Sequence, residues 1–125
     1  MALLLNEGEV RELLTMPLAL DAVEESMRHL ACGEAILHPR RRMELPDKAF
    51  LHYMAAADKV RGYMGMKVYT SVRGALRFIV PLYRSKNGEL VALIEADYLG
   101  QMRTGAATGV ATRYMALERA STVGI

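Results

Sequence analysis

The chain has 125 residues, 52% of them hydrophobic and 24% charged, which is the balance of a globular domain rather than a disordered segment. Sixteen Lys and Arg against 14 Asp and Glu leave a net charge of +2, too weak a field to point to nucleic acid. A single cysteine, Cys32, excludes an internal disulfide, and no stretch approaches the roughly 18 unbroken apolar residues of a membrane span.

The apolar start Met1 to Leu5 lacks the basic residues and length of a signal peptide, so a soluble cytoplasmic protein is expected. Asn6, with Glu9 three residues on, has the pattern of a capping box and predicts a short first helix. Pro17 suits the first turn of a second helix. There Leu18, Val23, Met27 and Leu30 are expected to form the apolar face, with Gly33 as the stop.

The period then changes. Phe50 to Ala55 alternates as a strand does, and Met64 to Val72 is rich in β-formers. The runs Phe78–Tyr83 and Leu90–Ile94 flank Lys86-Asn87-Gly88, a hairpin signal. Pro81 within the first of these predicts an edge position or a bulge.

A long helix is predicted from about Asp97, as N-cap, to about Leu117, with Gly105, Ala106, Gly109 and Ala111 leaving room for another backbone. Ser121 to Ile125 reads as a strand just begun, and its apolar end Val123-Gly124-Ile125 suggests truncation. The order of elements predicts an α+β fold: a mostly antiparallel sheet with packed helices.

Three basic sites could carry chemistry. They are Arg40-Arg41-Arg42, read as a loop before a strand, Lys67 in an otherwise apolar strand, and Arg103 near the start of the last helix. Each has an ordinary explanation as a solvated surface residue. Together they could hold an anion, since guanidinium groups pair bidentately with carboxylates and a lysine supplies a point charge. Thr104 and the helix N-terminus add donors of the kind phosphates use. The sequence has no HExxH, no paired-cysteine spacing, no GxSxG and no GxGxxG, so no metal site is expected; Cys32, at a helix C-terminus, reads as structural.

Gly65-Met66-Lys67-Val68, Leu93-Ile94-Glu95-Ala96-Asp97 and Gln101-Met102-Arg103-Thr104-Gly105-Ala106-Ala107 resemble the ornithine cyclodeaminase/mu-crystallin family. Gly33-Glu34-Ala35, Pro39 to Arg42, Phe50 to Met54 and Thr122 to Ile125 fit the same pattern, so the resemblance covers essentially the whole chain. It implies that residues 1–120 form a substrate-binding and homodimerising domain. Residues 121–125 would then open the first strand of a Rossmann domain that binds NAD or NADP, with the glycine-rich turn and a catalytic aspartate further on.

By the same resemblance, Arg41 (with Arg40 and Arg42 as alternatives), Lys67 and Arg103 would hold a substrate carboxylate. Lys67 would assist proton transfer, while Arg103 and Thr104 would lie near the cofactor. Ornithine-cyclising members carry an acid where this chain has His52, and many have proline where it has Ala55. The implied activity is therefore that of an NAD(P)-dependent amino- or imino-acid oxidoreductase or cyclodeaminase, with a broader oxidoreductase favoured over an ornithine-specific enzyme, and these residues alone would be inactive. A non-enzymatic dimerising ligand-binding module or an inactive gene fragment is the alternative.

Overall fold

After a short strand β1 (Leu3–Leu5), Asn6 starts the first helix. In the computed structural model, which describes residues 1–124, the Asn6 side chain accepts from the Glu9 amide at 3.1 Å, and the Glu9 carboxylate accepts from the Asn6 amide at 2.9 Å. That is the expected capping box. Helix α1 (Glu7–Leu13) gives way to α2 (Met16–Ala31), whose first turn holds Pro17. Gly33, at φ 73°, turns the chain out of α2 in the left-handed region; its amide donates to Leu30 and that of Glu34 to His29, so the last carbonyls are satisfied.

Strands β2 (Ala35–Leu45), β3 (Ala49–Asp58), β4 (Tyr63–Val72), β5 (Ala75–Arg84) and β6 (Leu90–Glu95) follow, and α3 (Asp97–Met115) closes the order. They form one six-stranded sheet in the order β1-β6-β5-β4-β3-β2, in which only the β1–β6 pair is parallel. The expected α+β architecture, a mostly antiparallel sheet with packed helices, is the one found.

Several local expectations change. Arg40, Arg41 and Arg42 lie inside β2, not in a loop before a strand, because β2 pairs with β3 along nearly its whole length. Pro81 does not sit on an edge: β5 is internal. The missing N–H is accommodated by local irregularity instead, for the β4–β5 ladder runs through Gly65↔Leu82 and resumes only at Val68↔Ile79, while the register with β6 shifts at Leu82/Tyr83. A hairpin does join β5 to β6, through a loop from Ser85 to Glu89 in which the Asn87 side chain accepts from the Glu89 amide at 3.2 Å.

The α2 face also differs. Leu18 is exposed on the far side and Met27 and Leu30 are about half exposed, whereas Ala19 is buried. The side of α2 toward α3 is built from Met16, Ala19 and Leu20. The small residues of α3 admit side chains rather than a backbone: a Cβ on Gly109 would come within 2.7 Å of Leu20 Cδ2, and one on Gly105 within 3.4 Å of Met16 Cε. Ser121 to Gly124 have no strand partner among the described residues, so the expected strand is not formed there, and Ile125 lies outside the described residues.

Asp97 is not the N-cap of α3. That position is Ala96, and the Asp97 carboxylate accepts instead from the Phe78 amide at 3.0 Å. The cap comes from another helix. Glu7 accepts from the amides of Asp97 at 2.6 Å and Tyr98 at 3.1 Å, while Glu95 accepts from the Glu7 amide at 2.9 Å. A carboxylate on these orphan amides also opposes the helix dipole favourably. Glu7→Ala is expected to cost about 1–2 kcal/mol of unfolding free energy in denaturant titration, and Glu7→Gln, which keeps an acceptor, markedly less. Equal losses for the two variants would contradict this cap.

The helices cover one sheet face only. Tyr69 and Ala92, at 8% and 4% exposure, point to that side. On the opposite side Leu4, Met43, Met64, Ile79 and Leu93 all remain exposed, and no large side chain is completely buried among the described residues. The chain therefore has a thin core and a broad bare apolar face.

Candidate anion site

Register sets which side chains share a face. Arg42 pairs with His52, His52 with Tyr69 and Tyr69 with Phe78, so all four lie on the helix-covered side. Lys67, two residues before Tyr69, lies there too, opposite Met54. Its Nζ sits 5.3 Å from the Tyr69 ring centre and 5.2 Å from that of Phe78, close enough for a cation–π contribution.

The arginine run is divided by a bulge. His38 pairs with Ala55 but Arg41 with Tyr53, so Pro39 and Arg40 together oppose Met54. Arg40 thereby falls in the same cross-strand row as Met54 and Lys67. Arg41 shares a face with Tyr53 and Val68, away from Lys67. Without the bulge, alternation would reverse this assignment. Pro39, which lacks a ladder donor, was the available signal for it.

Arg103 reaches the same place from α3. Lys67 has its pKa lowered from the ordinary lysine value by burial first, then by the positive fields of Arg103 and Arg40. None of Lys67, Arg40 or Arg103 has an ion-pair partner among the described residues. Three cations gathered without a counter-charge repel one another, so a small anion entering among them would relieve that repulsion and move the lysine's pKa back toward its ordinary value.

The phosphate-type donors are more restricted. Thr104 is exposed, but its hydroxyl donates to the Gly100 carbonyl at 2.7 Å. The α3 N-terminal amides are taken by Glu7. Arg103 is exposed, and its guanidinium has no ion-pair partner among the described residues. The sequence of this chain holds no glycine-rich turn of the kind that cradles a dinucleotide's diphosphate. Among the described residues no group of three or more His, Cys, Asp or Glu is placed to hold a metal ion, and no helix is long and apolar enough to cross a membrane.

One histidine belongs to this face. The His52 ring stacks on Tyr69 at 4.4 Å with 8° between planes, and Phe50 lies 5.9 Å from it. Its Nδ1 is buried without a hydrogen-bond partner. Alternation alone put His52 on one face of a strand; only the register with β4 shows what it lies against.

A sequence profile of the ornithine cyclodeaminase/mu-crystallin family matches residues 2–125. The chain belongs to this family. It is 33% identical to an alanine dehydrogenase of Archaeoglobus fulgidus across 98% of its own length, which is 39% of that enzyme's. Among solved structures, an archaeal alanine dehydrogenase dimer with bound NAD superposes with a TM-score of 0.88 at 32% identity, over 96% of this chain and 39% of that one. The Δ1-pyrroline-2-carboxylate reductase of Thermococcus litoralis, in complex with NADH and L-proline, superposes at 0.85 with 28% identity, over 93% of this chain and 38% of that one. The relatives are thus amino- and imino-acid dehydrogenases and reductases seen with NAD or NADH, and this chain spans about 39% of their length.

Proposed function

We propose that these residues form the substrate-binding and dimerisation domain of an NAD(P)-dependent oxidoreductase acting on amino or imino acids, and that Lys67, Arg103 and Arg40 hold the substrate's carboxylate. The observation that carries this reading is the convergence of Arg40 and Arg103 on the half-buried Lys67, none of the three having an ion-pair partner among the described residues. The role implied for Arg41 passes to Arg40, because the bulge at Pro39 turns Arg41 to the other face.

In this reading residues 1–120 are the substrate domain and residues 121–125 lead into the cofactor domain, in keeping with relatives some two and a half times longer. The nicotinamide supplies or accepts the hydride. The chain's own contribution is position: fixing the carboxylate at three points limits how the α-carbon can present itself, and orientation of this kind is a large part of catalysis in such enzymes. Lys67, its pKa lowered, is suited to hold or release a proton at Nζ beside the substrate nitrogen. Arg103 and Thr104 would lie at the cofactor's diphosphate. The bare sheet face, with a shallow apolar hollow of about 620 Å³ bordered by Ile36, His38, Ala55, Met64, Met66 and Tyr83, is where a second copy packs.

The test is oxidation of NADH and NADPH by the natural gene product, offered 2-oxo acids with ammonium and cyclic imino acids. Turnover of at least one is expected, and Arg103→Leu should reduce kcat/KM by ~100-fold or more while the dimer persists, as loss of a charge-assisted bond to the substrate predicts. Carboxylate binding with no turnover of any substrate would turn the assignment toward a ligand-binding module. Near-wild-type kcat/KM in Arg103→Leu would remove that residue from the site.

A further inference from the structure

We propose that the substrate carries a second acidic group, and that His52 with Arg42 receives it. The inference rests on the carboxylate site described above and extends it along the same sheet face. His52 lies two residues along β3 from Met54, the residue between Arg40 and Lys67. Two residues of strand span about 6.6 Å, close to the length of a four- or five-carbon diacid.

Four features single out His52. Its ring is held flat on Tyr69 and beside Phe50, so its place is fixed by packing. Neither ring nitrogen has a hydrogen-bond partner among the described residues, and Nδ1 is sealed from solvent. A ring needed only for stacking would be better served by phenylalanine, which carries no polar atom to leave unpaired. With Nδ1 buried, Nε2 is the nitrogen left to meet a ligand.

The fourth feature is the sign of the charge around it. Directly across the ladder is Arg42, whose guanidinium lies over Phe50 at 5.1 Å and whose one ion pair is a loose 3.7 Å contact with Glu44, both side chains 57% exposed. On the other side is Lys67, above Tyr69. Arg42 and Lys67 lie on either side of His52, and Glu44, opposite Phe50 in the ladder, is exposed and already beside Arg42. A substrate amine placed here would be repelled, whereas a carboxylate would be attracted by Arg42 and hydrogen-bonded by the imidazole. The face therefore selects a dicarboxylic amino or imino acid over one with a basic side chain.

Calorimetric titration of the natural gene product with succinate and with butyrate, which share a four-carbon chain, separates the two levels of the reading without any need for turnover. Succinate is expected to bind at least ~10-fold more tightly than butyrate. His52→Gln should bring the two ligands to within about twofold of each other. Arg42→Gln, at an exposed position, should shrink the same difference. Equal affinities in the wild-type protein, or a succinate advantage that survives both substitutions, would overturn the proposal while leaving the carboxylate site standing. Failure of both ligands to bind would overturn the carboxylate site and this proposal together.

Discussion

Lys67→Met in the natural gene product is expected to lower kcat/KM by on the order of 10³, equivalent to about 4 kcal/mol of lost transition-state stabilisation. Methionine keeps most of the volume and the apolar stem against Tyr69 and Phe78 but removes the charge at the centre of the row. The substrate carboxylate would then be left with Arg40 and Arg103 alone, and any proton held at Nζ would be gone. Folding should not suffer. Burial and the fields of Arg103 and Arg40 lower this lysine's pKa, so the folded protein bears a cost for charging it.

That cost is complete below the lowered pKa, where both folded and unfolded forms are charged, and it disappears as pH rises toward the ordinary value of 10.5. Lys67→Met should therefore be at least as stable as wild type near neutrality. Ligand binding carries the opposite sign. A carboxylate favours the charged lysine, so its affinity should fall as pH rises through the free protein's lowered pKa. Lys67→Arg, charged throughout, should flatten that profile. A Lys67→Met protein with turnover within a few-fold of wild type would remove Lys67 from the chemistry.

The second large effect concerns assembly. Met64 projects from the bare face, 37% exposed, at the apolar hollow bordered by Ala55 and Met66. If a second copy covers this face, Met64→Glu places an unpaired carboxylate in the interface. The cost of such a burial is several kcal/mol, enough to weaken the dimer by a factor of ~10² to 10³. Sedimentation equilibrium should show wild type remaining dimeric at concentrations where Met64→Glu is mostly monomeric. Unchanged association in Met64→Glu would mean that the dimer uses another surface. The exposed β2 edge, with Ile36 and Leu37 at 48% and 57% exposure, would be the next to test.

Local signals were legible where a few neighbouring residues decide the outcome. Asn6 with Glu9, Pro17 at the start of α2 and Gly33 beyond its end each act through hydrogen bonds within a turn or two, and each is found as expected. Signals that depend on distant partners were not. Asp97 resembles an N-cap in sequence, but the α3 amides are taken by Glu7, some ninety residues earlier in the chain. Pro81 looks like an edge marker because an internal strand needs every donor, yet a gap in one ladder and a shift in the other accommodate it.

The site shows the same division. Lys67 stood out as a charge in an otherwise apolar strand and Arg103 as a cation near the start of the last helix, and the structure brings both to one place. The third cation depended on counting residues through β2. One additional residue at Pro39–Arg40 inverts alternation for the rest of the contact, so Arg40 rather than Arg41 joins Lys67. The stacking of His52 on Tyr69 required the β3–β4 register, which no local pattern in either strand encodes.

The most direct test of the carboxylate site is the titration of Lys67 itself, followed by NMR through the ¹³Cε resonance of labelled lysine in the natural gene product. In the free protein its pKa should lie below the ordinary lysine value, and saturating pyruvate should raise it, because a carboxylate set among Lys67, Arg40 and Arg103 stabilises the ammonium form. A Lys67 pKa unmoved by pyruvate would mean that the three cations do not hold a carboxylate.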